Sequence, residues 1–318
     1  MIGYDALPPT KPTVELRPPR TDTILRTIRL IREFLAFRVH AQEILTYPWS
    51  IDGLLEQAGF DPADGVRFEG APAEDRATLR PSLVPNLIGA VQFNAADRER
   101  FRLFEIGTAY AARPGGGEPV RSQRVSAAFV GDDLGDEFRA AVGAVDGLAR
   151  AARIEGLATA EADADGWGDP VAARVIVAGG RTVGRIAAIP VDLGLRTHVA
   201  VFFEFDLDDI GVQVSRTNAF QAYSTHPRAS VDLSVIVPNG VRWSDLRAAI
   251  DGTSIEHVLS VRVVDEYRGS SVAAGTRSLT LRLNLAAPDR TLTAADKTAA
   301  RSAVAFLLGS IAGVRIRE

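Results

Sequence analysis

A chain of 318 residues, 46% hydrophobic and 24% charged, has the balance of a soluble globular protein and enough length for two domains with separate cores. Its net charge of -4 excludes a global positive field for nucleic acid, so any RNA contact must come from a local patch. With no cysteine, disulfides, thiolate metal sites and a cysteine nucleophile are excluded, and His40, His198, His226 and His257 have no paired ligand spacing.

The N-terminus carries Pro8, Pro9, Pro12, Pro18 and Pro19, a density that stops helix and favours an extended strap. It lacks the apolar stretch of a signal peptide, and no apolar run reaches the roughly 18 residues of a membrane span, so a cytoplasmic location is expected. Thr21-Asp22 can cap an amphipathic helix over 22–38, where Ile24, Leu25, Ile28, Ile31, Phe34 and Leu35 recur at helical spacing. Arg26, Arg29, Arg32 and Arg38 make a basic stripe on it, by default a solvated face. Residues 43–47 read as a strand and 79–94 as a second helix, opened by Pro81 and Ser82. A strand over 102–107 is ended by Gly107, and another covers 125–130. Pro114 to Gly117 reads as a hairpin tip rather than a phosphate cradle. An alanine-rich helix over 137–153, a hairpin over 171–189 turning at Gly179-Gly180, and an apolar strand over 199–207 complete the first part.

A linker over 208–222 follows. Beyond it the pattern predicts a strand (233–237), a helix (243–250), two strands (258–265 and 278–285), a helix capped at Thr293 (293–308) and a short strand (314–316). That order fits a ferredoxin-like split βαβ sandwich. Thr293 with Asp296 three residues on is close to a capping box. Residues 221–318 hold twelve Lys/Arg against nine Asp/Glu, so this part is mildly positive while the rest is negative. Lys11 and Lys297 are the only lysines; the other cations are guanidinium forks suited to phosphate and carboxylate.

The second part carries a string of motifs: His226-Pro227, Asp232-Leu233-Ser234-Val235, Asp265-Glu266-Tyr267-Arg268-Gly269, Arg277-Ser278-Leu279 and Asp289-Arg290-Thr291-Leu292-Thr293. In order and spacing it resembles the anticodon-binding domain of the β subunit of bacterial phenylalanyl-tRNA synthetase. It departs from that pattern at Val231, where the family has arginine, which predicts one cation fewer on an RNA face. Gly3-Tyr4-Asp5 with Pro8-Pro9-Thr10, the run from Leu79 to Leu87, Arg102 to Gly107 and Phe203 to Leu207 are similar to the synthetase-like core of the same subunit. The resemblance implies an α+β architecture: a class II synthetase-like antiparallel sheet core over 1–215 and a ferredoxin-like anticodon-binding domain over 222–318.

The resemblance also implies a role without chemistry. Class II catalysis needs cations around ATP because in-line displacement builds charge on phosphate oxygens. The strand Arg102–Gly107 stands at the second class II signature, but after Val199 only Gly211 and Arg216 stand near the third. No nucleophile elbow or P-loop is present either. The expectation is a non-catalytic β-type chain supporting a catalytic α-type chain, with ATP and Mg²⁺ on that partner, no cofactor or metal here, and neither DNA nor membrane as partner. The basic helix over 22–38 would lie near the subunit interface. Met1 falls where the family's N-terminal modules end, so the expectation is either an engineered fragment or, as the starting methionine favours, a natural truncated paralogue, in both cases without editing. Arg228, Tyr267, Arg268, Arg277 and Arg290 are the expected tRNA contacts, arginine forks on phosphates with Tyr267 as aromatic platform. The plain alternatives are that Tyr267 packs, Gly269 turns the chain and Arg290 belongs to a helix cap. The competing functional reading is a scaffold for an α-like amino-acid-activating enzyme without tRNA.

Overall fold

The computed structural model describes residues 3, 6, 8, 10, 11, 13, 15, 23–161, 166–189, 199–210, 226–269 and 271–317. The chain divides into two compact units, Met1–Thr217 and Asn218–Glu318. The expected cap at Thr21-Asp22, Tyr4-Asp5, Pro9, Gly211, Arg216 and the linker beyond Ile210 lie outside the described residues.

In the first unit a seven-stranded sheet has the order β1-β5-β6-β10-β9-β8-β7. The strands are β1 (Gln42–Glu43), β5 (Phe101–Ala111), β6 (Val120–Gly131), β7 (Ala158–Ala160), β8 (Ala173–Ala178), β9 (Arg181–Ile189) and β10 (Val199–Asp206). All neighbours run antiparallel except β1 and β5, so the sheet is mixed where an antiparallel one was expected. One face, with Phe104, Phe129, Val201 and Phe203, packs under α1 (Thr23–Phe37) and α4 (Leu134–Ala151). The other, with Leu103, Ala128, Val130 and Phe202, packs under α3 (Val84–Ala95). Burial on both faces explains the unbroken apolar run of β10. A small sheet, β2 (Trp49–Ser50), β3 (Val66–Arg67) and β4 (Thr78–Leu79), and a short helix α2 (Asp52–Gln57) had no clear sequence signal.

Several expected elements shift. The strand over 43–47 shrinks to Gln42–Glu43, because Thr46 turns aside to bond Glu105. The helix over 79–94 starts at Val84, since the Arg80 amide is held by the Pro48 carbonyl. Gly107 does not end its strand; β5 runs on to Ala111. A side chain at Gly107 would meet the Arg80 guanidinium, 2.5 Å from its Nη2. The Gly179-Gly180 hairpin is present, both glycines at positive φ. After β10 the chain makes one turn, α5 (Leu207–Ile210).

The second unit follows its predicted order: β11 (Ala229–Pro238), α6 (Trp243–Asp251), β12 (Val258–Tyr267), β13 (Thr276–Leu285), α7 (Ala294–Gly309) and β14 (Arg315–Arg317). Its antiparallel sheet has the order β12-β13-β11-β14. Leu233, Val235 and Val237 of β11 and Leu279, Leu281, Leu283 and Leu285 of β13 are buried with Leu246 of α6 and Val304 and Leu308 of α7. Alternation therefore puts one sheet face against the helices and leaves the other open.

Candidate nucleic-acid interface

The open face of the second unit is set by strand register. Arg317, Ser234, Thr280 and Asp265 form one row across the four strands. Arg315, Ile236, Ser278 and Tyr267 form the next, and Asp232, Arg282 and Arg262 lie on the other side. A bulge between Val263 and Asp265 puts Arg262 and Asp265 on the same face despite their odd spacing. A concavity of about 400 Å³ is lined by Asp232, Ser234, Asp265, Tyr267, Thr280, Arg301 and Arg317, among others. Hydroxyls and carboxylates fill its floor, with a half-exposed tyrosine on one side and two arginines on the other.

The charges on this face are of two kinds. Asp232 takes a two-pronged bond from Arg282, 2.8 Å at each oxygen, and that guanidinium, with Arg262 nearby, holds its carboxyl below the usual range. Arg315 and Arg317 are exposed and have no carboxylate partner among the described residues. Arg301 donates to the Asp232 carbonyl at 3.4 Å and has no ion-pair partner among the described residues. These three arginines form a cationic strip along the β14 edge.

The expected contacts separate. Tyr267, 42% exposed, is on the open face. Arg277 is only 7% exposed and points to the helix side. Its guanidinium donates to the carbonyls of Pro238, Asn239 and Val241, so it fastens the turn after β11. Arg268 pairs with Glu266 at 2.7 Å. Arg228 and Arg290 lie near the opposite end of the sheet, roughly 25 Å from Tyr267 along β13. Arg290 pairs with Asp296, 2.5 Å from its Oδ2. Arg228 is exposed and has no ion-pair partner among the described residues. Val231 faces the core and packs against it, so that position does not project onto the open face, contrary to the sequence expectation. The alternation Arg315-Ile316-Arg317 was a readable signal for the strip, with Ile316 turned to the core.

Thr293 caps α7 in a complete capping box with Asp296. Arg290 first, then the Thr293 amide and hydroxyl, hold the Asp296 carboxyl well below the usual carboxylate range. A depressed carboxylate contributes stability that is full above about pH 5 and is lost as pH falls through about 4 and lower. Asp296→Asn is therefore expected to lower the urea midpoint of this unit at pH 7. The gap to the parent protein should narrow towards pH 3; a gap independent of pH would contradict the assignment.

In the first unit a row of buried polar residues crosses four strands: Glu105, Ser126, Glu204 and Arg185. Arg80 donates to Glu105 at 2.8 Å, to Thr46 at 2.7 Å and to the Thr108 carbonyl at 2.8 Å. Glu204 accepts from the Ser82 hydroxyl, the Leu83 amide and Arg124. Three of the four core motifs thus meet here: Arg80 and Ser82 of the run from Leu79, Glu105 of the run from Arg102 and Glu204 of the run from Phe203. Arg102 turns to the opposite face, bonds the Val39 carbonyl and lies 5.2 Å over the Phe129 ring. Among the described residues no cluster of His, Asp and Glu could hold a metal, and no helix is long and apolar enough to cross a membrane.

Residues 7–207 match the model of the phenylalanyl tRNA synthetase beta chain CLM domain. The chain belongs to the phenylalanyl-tRNA synthetase β-chain family. Residues 224–317 match the ferredoxin-fold anticodon binding domain. The phenylalanine–tRNA ligase β subunit of Geobacillus kaustophilus is 28% identical over 92% of this chain, and that of Solibacter usitatus 29% over 96%. The β subunit of Xanthomonas oryzae pv. oryzae is 30% identical over 99%. The chain spans about 40% of the length of these relatives, from 38% to 41%.

Proposed function

We propose that this chain is a non-catalytic β-type subunit that supports a catalytic α-type chain and holds tRNA on the open sheet face of its second unit. The observation that carries the reading is the pairing of Tyr267 with an un-neutralised cationic strip across one hydroxyl-lined concavity. The ring offers a stacking surface, Asp265 and the hydroxyls can accept from base edges, and Arg301, Arg315 and Arg317 fit phosphates. Three strand spacings, about 15 Å, separate the platform from the β14 edge, room for a single strand laid across the sheet. The relatives' names point to phenylalanine tRNA as the ligand.

The reading without chemistry is supported by how the first unit uses its charges. Arg80, Glu105, Arg124 and Glu204 are spent on one another, and Arg102 faces away from them. ATP and Mg²⁺ would be bound by the α-type partner. The scaffold reading without tRNA loses support because Val231 lies on the core side, where it takes no cation from the open face.

The test is tRNA binding by the full chain across a salt series. Arg315→Ala/Arg317→Ala should weaken binding and flatten the logarithmic salt dependence by about one per arginine lost. Arg290→Ala should leave the slope unchanged, since Asp296 already neutralises that cation. Absence of tRNA binding by the parent chain at low salt, or an unchanged slope in the double variant, would reject the assignment.

A further inference from the structure

The motif Asp265-Glu266-Tyr267-Arg268-Gly269 contains a glycine that the tRNA contacts leave unexplained. Its φ is not in the left-handed region, so backbone conformation is not the reason for it. Space is the reason. A Cβ at Gly269 would fall 2.5 Å from Cζ and 3.1 Å from Cε1 of Tyr267, and closer still to the hydroxyl oxygen. Real side chains do not approach so closely, and the three nearest atoms all belong to the Tyr267 side chain.

Along an extended chain, residues two apart share a face. At the end of β12 the Tyr267 ring therefore leans over position 269, and only a residue without a side chain lets it lie down there. Just beyond, the Gly269 carbonyl accepts from the Val272 amide at 3.0 Å. The ring is left 42% exposed beside Ser271 and Ser278, which line the same concavity.

We infer that Gly269 is a positioning residue for RNA binding: its bare backbone is the floor on which the Tyr267 ring lies, and it turns the ring's outer face towards a stacking base. This rests on the proposed tRNA role of the open face. A side chain at 269 would force the ring upright and remove the platform while leaving the tyrosine in place.

A double-mutant cycle on the full chain tests this, with unfractionated bacterial tRNA as probe and the circular dichroism spectrum as a check on folding. Tyr267→Ala is expected to weaken binding roughly 5- to 100-fold, the loss of one stacked base. Gly269→Ala should weaken it comparably, and the double variant no further than either alone. In the tyrosine-labelled parent chain, NMR should show a cross-peak between the Gly269 α-protons and the Tyr267 ε-protons, assigned by its loss in Tyr267→Phe. If Gly269→Ala binds like the parent while Tyr267→Ala is weakened, or the two losses multiply, the positioning role is wrong and the platform stands. If Tyr267→Ala itself binds like the parent, the platform reading fails. Should Gly269→Ala not fold, the cross-peak decides, and its absence overturns the inference.

Discussion

Arg80→Met is expected to lower the stability of the first unit by about 3–5 kcal/mol, the range for stranding one partner of a buried ion pair. Arg80 is 4% and Glu105 1% exposed, with 2.8 Å between them, so no solvent replaces the lost partner. The guanidinium also supplies the bonds to the Thr46 hydroxyl and Thr108 carbonyl that hold β1, the segment after it and β5 in one arrangement. Among the described residues, removing it leaves the Glu105 carboxylate with the Thr46 amide and hydroxyl as hydrogen-bond donors. Arg80→Met/Glu105→Leu should recover much of the loss, because a volume-matched apolar pair needs no desolvation. Urea unfolding followed by circular dichroism measures both. A single-variant cost under about 1 kcal/mol would mean the pair is not a structural tie.

In the second unit the largest effect is expected at Leu281. It is fully buried on the central strand β13, facing Leu233 of β11 and Val263 of β12 in register. Leu281→Ala should cost about 2–5 kcal/mol, lost transfer energy plus the cavity left behind. A unit of this size typically has only about 5–15 kcal/mol in all, so its thermal midpoint should fall by roughly 10–30 °C. Leu259→Ala on the edge strand, at a side chain 56% exposed, should change it little. Equal shifts for the two variants would contradict the layer assignment of the sheet.

Both effects bear on what could be read beforehand. The leucines of β13 alternate strictly, so the inner face of the second unit was visible in the residues themselves. Thr293 and Asp296 were visible as a cap for the same reason, since a capping box is local. Arg80 and Glu105 could be noticed only as parts of motifs; their contact joins positions 25 residues apart and depends on how β5 lies against the segment before α3. Gly107 looked like a strand terminator and Gly269 like a turn, because a missing side chain does not name the group that needs the space. For Gly107 that group is Arg80, and for Gly269 it is the Tyr267 ring.

The predicted contacts divide along the same line. Tyr267 is on the open face and 42% exposed. Arg277 was chosen for its charge and is spent on three backbone carbonyls. Arg290 carries a charge already neutralised by Asp296, while Arg268 shares the Glu266 carboxylate with Arg277. Arg301, Arg315 and Arg317 went unnoticed, because an arginine's availability depends on the carboxylates that fold up beside it.

By itself, then, the sequence determined the element order of the second unit, its cap, its apolar face and the family to which the motifs belong. Those features are carried by periodicity and short-range bonding, which act between residues a few positions apart. Tertiary structure alone decided which arginines remain free, which side of the sheet Val231 occupies, and how the core motifs join in one buried polar row. Each depends on strand register or on partners distant in the chain, such as Asp232 and Arg282, 50 residues apart. The bulge before Asp265, one of two register shifts in β12, shows why: one extra residue reverses the side-chain directions beyond it, and no local pattern of charges reveals that reversal.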